Sequence, residues 1–138
     1  MAGKILLEVV TPEHLLLSKQ VDEVIAPGSE GEFGVLPGHA PFITTLKIGE
    51  LQYKVGDAWS SMSVLWGYAE VNPTKVTILA EIAEKAEDID VERATQKVAE
   101  AEQRLKVGGL PSDLKEAQIS LEKARLRKRI AERTRRAH

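Results

Sequence analysis

The sequence predicts an all-β N-terminal module, a sandwich or flattened barrel of antiparallel strands, followed by a C-terminal antiparallel two-helix hairpin. Three observations predict it. Short apolar runs of period two recur through the first 80 residues. From Asp90 onward the apolar period changes to three and four. The charge changes sign at the same place. Residues 1–88 carry six basic and thirteen acidic side chains, a net of -7, while residues 89–138 carry thirteen basic and eight acidic, a net of +5. Two electrostatically different objects imply two modules, divided here as 1–87 and 88–138.

In the first module, Ile5 to Val10 reads as a strand stopped by Thr11-Pro12. Leu15 to Leu17 and Val21 to Ala26 are short apolar runs. Between Pro27 and Pro41, four glycines and three prolines bracket Phe33 to Leu36. Glycine permits positive φ and proline fixes φ, so this segment is expected as a shaped loop rather than a helix or a plain central strand. Shaped loops on rigid scaffolds commonly contact partners. Leu51, Tyr53 and Val55 then alternate up to a Gly56-Asp57 turn. Met62, Val64, Trp66 and Tyr68 alternate next, Asn72-Pro73 turns, and Val76, Ile78 and Ala80 close the series. Trp59 and Trp66 read as core or sheet surface.

In the second module, Asp90 is placed to cap a helix by accepting first-turn N–H groups. Val91, Ala94, Val98, Ala101 and Leu105 follow as one stripe, and Gly108-Gly109-Leu110-Pro111 ends it. Ser112 or Asp113 is expected to cap the second helix, whose stripe is Leu114, Ala117, Leu121 and Ala124. Alanine contributes little apolar area, at roughly 25 cal/mol per Å². The hairpin is therefore expected to be weakly held and able to rearrange, while its Ala, Glu, Lys and Arg content keeps it helical.

The chain has no cysteine, which removes disulfides and thiolate metal sites. It shows no signal-peptide pattern and no apolar stretch long enough to span a bilayer, so membrane association is expected only through a partner. His39 has no nucleophile and base beside it in the sequence, and His14 and His138 give no metal-ligand spacing with it, so a structural or interface role is expected. No metal site is expected. Neither common phosphate-cradling glycine motif occurs.

Two features point to ligands. Lys123, Arg125, Arg127, Lys128, Arg129, Arg133, Arg135 and Arg136 form a run in which Glu132 is the one acidic residue. A helix dipole accounts for cations in the last turn alone, so an acidic partner is expected. With no aromatic residue beyond Tyr68, base stacking is unsupported and nucleic acid is not the expected partner. In Ile89-Asp90-Val91-Glu92-Arg93-Ala94, Arg93 sits in the first helical turn, where the dipole disfavours a cation. Asp90, Glu84 or a bound phosphate would compensate it.

The loop Pro27–Pro41, with Leu46 and Gly49-Glu50-Leu51, resembles the signature of the epsilon subunit of bacterial F-type ATP synthases. Val9-Val10-Thr11-Pro12, Gly67-Tyr68-Ala69-Glu70-Val71, Val76-Thr77-Ile78-Leu79-Ala80 and Ala86-Glu87-Asp88-Ile89-Asp90 extend the resemblance over nearly the whole chain. The resemblance implies a non-catalytic rotor subunit of the central stalk. Its partners would be the gamma subunit, the c-subunit ring and the alpha and beta subunits of the catalytic head, at the cytoplasmic face of the bacterial inner membrane. It implies that the subunit couples proton translocation to ATP synthesis. Its helices would inhibit ATP hydrolysis when extended. Glu30, Gly31 and Glu32 would meet the c ring and His39 the gamma subunit. Arg125, Arg129 and Arg133 would meet acidic faces of the head. No cofactor is required, and ATP is a regulatory ligand of some members. The corresponding positions here are Glu84, Ile89, Asp90, Arg93, Ala94, Lys123 and Arg127. Lys123 departs from the arginine such members carry, and a lysine cannot form a planar fork on phosphate. Trp66 departs from the first glycine common before Gly67. The alternatives are a stand-alone ATP-sensing protein and a small RNA-binding β domain with a basic tail.

Overall fold

The computed structural model describes residues 3–136, with side chains through Arg133. It divides between Lys85 and Ala86 into two compact units. The first holds eight strands: β1 (Ile5–Val10), β2 (Leu15–Val21), β3 (Glu23–Gly28), β4 (Gly31–Val35), β5 (Phe42–Leu46), β6 (Gly49–Val55), β7 (Ala58–Val71) and β8 (Lys75–Lys85). The second holds a 3-10 turn (Ala86–Asp88) and two helices, α1 (Val91–Val107) and α2 (Pro111–Arg136).

The strand order is β2-β1-β8-β7-β5-β3-β4, with β6 pairing both β3 and β7. The sequence leads one to expect antiparallel strands throughout, but β1 and β8 pair in parallel, Leu7 opposite Val76 and Val9 opposite Ile78. These are the first and last strands of the unit, so no hairpin constrains their direction. Alternation holds well in β1, where Ile5, Leu7 and Val9 are buried, and in β8, where Val76, Ile78 and Ala80 are buried. They join Val24, Ala26, Leu51, Tyr53, Met62, Val64, Ala69 and Val71 in one core drawn entirely from the strands.

The sandwich turns its corner on β7. Residues Ala58–Val64 pair with β6, and Gly67–Val71 pair with β5, while β8 follows along both halves. At the change of partner, Trp66 has φ 48° and Gly67 has φ 137°. This kink shifts the phase of the strand. Met62 and Val64 face the core, but so do Ala69 and Val71, and Trp66 and Tyr68 are exposed. The expected single alternation from Met62 to Tyr68 is therefore corrected: a strand that changes sheets at a left-handed residue does not keep one face inward. Trp59 and Trp66 both lie on the sheet surface. Glycine suits position 66 better than tryptophan, because a side chain at positive φ strains the backbone.

A second correction concerns Pro27–Pro41. Much of it is strand: Pro27 pairs with Glu32 and Gly28 with Gly31, a tight hairpin with Ser29 and Glu30 at its tip. Pro27 is accommodated because its carbonyl accepts from Lys47 N at 3.1 Å without needing an N–H. Gly49 is required beside it, since a Cβ there would lie 2.4 Å from Pro27 Cβ. Only residues 36–41 form the expected loop.

Asp22 fastens the far end of the sandwich. Its carboxylate accepts from Gly56 N at 2.7 Å and from Lys4 Nζ at 3.0 Å. The backbone donor first, and the lysine second, hold its pKa below the usual carboxylate value. A lowered folded pKa contributes stability above the unfolded value of roughly 4 and loses it as pH falls through the folded value. Asp22→Asn should therefore flatten the stability profile of the sandwich below about pH 4. Urea titrations by tryptophan fluorescence between pH 2 and 6 check this, and an unchanged slope would count against it.

Asp90 caps α1 as expected, its Oδ1 accepting from Arg93 N at 3.1 Å. Gly108 ends the helix with φ 81°. The expected cap of α2 at Ser112 or Asp113 is corrected. The helix starts at Pro111, and Leu114 N donates to Leu110 O at 3.0 Å, so both polar residues sit inside the first turn. Proline at the first helical position is preset in φ and lacks the N–H that would go unbonded there. The two helices pack on each other. Ala94 and Ala101 of α1, and Ala117, Ala124 and Ala131 of α2, are buried at seven-residue spacing. Val98, Leu105, Leu114 and Leu121 are half-buried. Leu126 and Ile130 are also buried, large side chains outside the expected stripe.

Candidate functional site

The tripeptide Glu30-Gly31-Glu32, expected to meet the c ring, runs from the tip of the β3–β4 hairpin into the start of β4. Glu30 and Glu32 are exposed, and Gly31 has φ 133° with open space around it. The turn is braced from β5: Ser29 N donates to Thr45 O at 2.9 Å and Thr45 Oγ1 to Ser29 Oγ at 2.7 Å. Two carboxylates are thus held out on a rigid turn.

His39 lies in the loop that follows. Gly38 N donates to Pro73 O at 2.8 Å, and His39 N to Leu36 O at 3.1 Å. Its Nδ1 lies 2.7 Å from Ala40 O, so the ring is held against its own loop. The ring also tilts over Phe42, whose ring meets Phe33 edge-on at 5.2 Å. An aromatic row therefore links the acidic hairpin to His39.

Beside this loop lies a surface not expected from the sequence. Ile43, Tyr68 and Leu79 are 70%, 56% and 42% exposed on neighbouring strands. Tyr68 pairs with Thr45 on one side and Leu79 on the other, and Ile43 with Glu70. Apolar residues exposed side by side on a sheet mark a contact face. The signal was present in the sequence, but the phase shift at Trp66 hid it.

In the helical unit, Ile89 and Ala94 are buried, Asp90 and Arg93 are exposed, and Lys123 and Arg127 are half-buried. The short Gly108–Leu110 connection returns α2 along α1, toward the Asp90 end. Asp90 spends one carboxylate oxygen on the cap and retains acceptor capacity. Glu84 belongs to the first unit, on β8 opposite Ser63. Arg125 and Arg129 are exposed, and Arg125 approaches Glu102 of α1 at 3.9 Å. Arg133 is exposed near the end of the described side chains; the side chains of Arg135 and Arg136, and all of His138, lie outside them. Among the described residues no three metal-ligating side chains gather, and no helix is long and apolar enough to cross a membrane.

A β-sandwich with an acidic hairpin and an apolar sheet face, joined to a helical hairpin whose second helix is basic, presents the kinds of surface by which a subunit binds other proteins. The family is shown by its domains. Residues 4–86 match the beta-sandwich domain of the ATP synthase delta/epsilon chain, and residues 87–132 match its long alpha-helix domain. The chain belongs to the ATP synthase delta/epsilon family, that of a stalk subunit which is not itself catalytic. It is 50% identical over 134 residues to the ATP synthase epsilon chain of Syntrophobacter fumaroxidans, covering 97% of this chain and 100% of that one. It is 52% identical over 124 residues to the epsilon chain of Nitratidesulfovibrio vulgaris strain DP4, covering 90% and 92%. Among solved structures it is similar to a chain of the Euglena gracilis mitochondrial ATP synthase OSCP/F1/c-ring assembly, with a TM-score of 0.80 and 25% identity over 91% of this chain and 79% of that one. A chain of the Tetrahymena thermophila mitochondrial ATP synthase central stalk and c-ring shares the fold, with a TM-score of 0.63 at 11% identity over 94% and 98%.

Proposed function

We propose that the chain is the rotor subunit that seats the central stalk on the c-subunit ring, couples proton translocation to ATP synthesis, and restrains ATP hydrolysis through α2. The observation that carries this reading is the contrast between the two units: a sandwich with an acidic hairpin tip and an apolar face, and a separate helical hairpin whose second helix is strongly cationic. Glu30, Gly31 and Glu32 meet the ring. The face of Ile43, Tyr68 and Leu79, with His39 at its edge, meets the gamma shaft. The complex lies at the cytoplasmic face of the bacterial inner membrane, and the chain reaches the membrane through it. Arg125, Arg129 and Arg133 meet acidic surfaces of the alpha and beta subunits when α2 extends, an attraction that salt screens. The tagged chain, solubilised from membranes, should bring down the gamma subunit, the c ring and the catalytic head together. Recovery of the chain alone would sink the rotor reading and favour a stand-alone ATP sensor.

ATP is the proposed regulatory ligand of the folded hairpin. Ile89 and Ala94 would pack its purine, Asp90 would accept from the purine amine, and Arg93, Lys123 and Arg127 would meet the phosphates. A ligand shifts the hairpin only by its differential affinity for the folded form. Arg93→Ala should weaken ATP binding by one to two decades, since a charged hydrogen bond contributes roughly 1.5–3 kcal/mol. Lys123→Arg should tighten it, because the fork geometry returns. Calorimetry with and without magnesium is the check. Absence of heat at millimolar ATP would reduce the Ile89–Ala94 segment to a helix cap.

A further inference from the structure

The cations of α2 lie on two separate flanks. At ~100° per residue, Ala117, Ala124 and Ala131 form the stripe toward α1. Lys123 and Arg127 fall on one side of it, and Arg125, Lys128 and Arg129 on the other. The proposed nucleotide site uses the first flank. The second flank, with Arg133, forms one wall of a cleft of about 600 Å³ whose other wall is Val98 and Glu102 of α1.

This cleft is electrostatically unbalanced. Among the described residues, its four cations stand against two carboxylates, Glu102 and Glu132. The Arg125–Glu102 pair, at 3.9 Å with both side chains well exposed, is a loose one. Arg125, Arg129 and Arg133 follow one another at four-residue steps, about 6 Å each along the helix. Like charges at that spacing oppose the helix. The helix dipole offsets them only in the last turn, and Arg125 lies well before it.

We propose that the cleft binds a short chain of linked phosphates, on the flank of α2 opposite the nucleotide site. Guanidinium forks match phosphate oxygens two at a time. A row about 12 Å long suits a linear polyanion better than a single phosphate. No aromatic residue lines the cleft, so nothing there stacks on a base. The ligand chemistry is shared by free polyphosphate and by the tail of a nucleoside triphosphate. Its walls come from both helices, so the bound anion favours the folded hairpin, in proportion to its concentration over its dissociation constant. It also occupies arginines assigned to acidic partners in the extended state. That regulatory consequence rests on the rotor reading; the binding does not.

Calorimetry on the full chain at fixed low ionic strength tests it, with inorganic tripolyphosphate and ATP titrated separately. Tripolyphosphate should bind the parent chain. The double variant Arg125→Gln/Arg129→Gln should bind it at least about tenfold more weakly, with helix content by circular dichroism retained. Arg93→Ala should weaken ATP binding more than tripolyphosphate binding, whose larger part Arg125 and Arg129 carry. Lys106→Gln/Lys115→Gln, which removes the same charge outside the cleft, should have little effect. The proposal is overturned by the absence of tripolyphosphate binding, by an equal loss in the Lys106/Lys115 pair, or by a loss confined to Arg93→Ala. A chain that binds tripolyphosphate through Arg125 and Arg129 but not ATP would remove the nucleotide reading and leave this one standing.

Discussion

Gly67→Ala should destabilise the sandwich by roughly 3–5 kcal/mol, enough to unfold a marginal domain. Two costs combine. The added Cβ would lie 1.8 Å from Leu79 O and 2.9 Å from Leu79 C, both backbone atoms of the paired strand that cannot swing aside. The φ of 137° is also one that L side chains rarely adopt, a strain of about 1–3 kcal/mol. Gly31→Ala isolates the second cost, because Gly31 has φ 133° with nothing within 4 Å of the new Cβ. It should lose only that backbone portion. Both tryptophans lie on β7, so their fluorescence reports the sandwich and not the helices. Urea midpoints measured that way should fall in the order parent, Gly31→Ala, Gly67→Ala. If Gly67→Ala unfolds at the parent midpoint, the β7 corner is not built as described.

Removing residues 112–138 should raise ATP hydrolysis by the assembled complex while leaving the sandwich folded. The sandwich should survive because its core comes from strands alone. Hydrolysis should rise because the deletion takes away Lys123, Arg125, Arg127, Lys128, Arg129 and Arg133, the cations proposed to grip the catalytic head. The size follows from population: a complex blocked roughly 90% of the time would gain about tenfold on release, and one blocked half the time about twofold. Added salt should give a weaker version of the same effect in the intact complex, since screening shortens the reach of exposed charges. Hydrolysis that stays at the parent rate under conditions favouring the extended hairpin would remove α2 from the inhibitory role.

The sequence by itself determined the elements whose information is local. The 3-4 spacing from Val91 to Leu105, the Asp90 carboxylate and the Gly108 stop define α1, because capping and stripe formation act within a few residues. Period-two alternation defined the buried faces of β1, β6 and β8 in the same way. The acidic hairpin tip, the Ile89–Ala94 segment and the basic run were legible as residue types in order. Tertiary structure decided what depends on residues far apart. Pro27 and Gly28 became strand only because Glu32, Gly31, Lys47 and Leu46 arrive to pair with or bond them. The kink at Trp66 and Gly67 accompanies the change of partner from β6 to β5, and it turned Trp66 and Tyr68 outward and left Tyr68 on an exposed apolar surface with Leu79 and Ile43. The separation of the α2 cations into two flanks likewise needed the buried alanines to say which side of the helix faces α1. A strand's period tells which residues share a face, but the face that is buried is set by the partner across the sheet, and that partner is chosen by the whole chain.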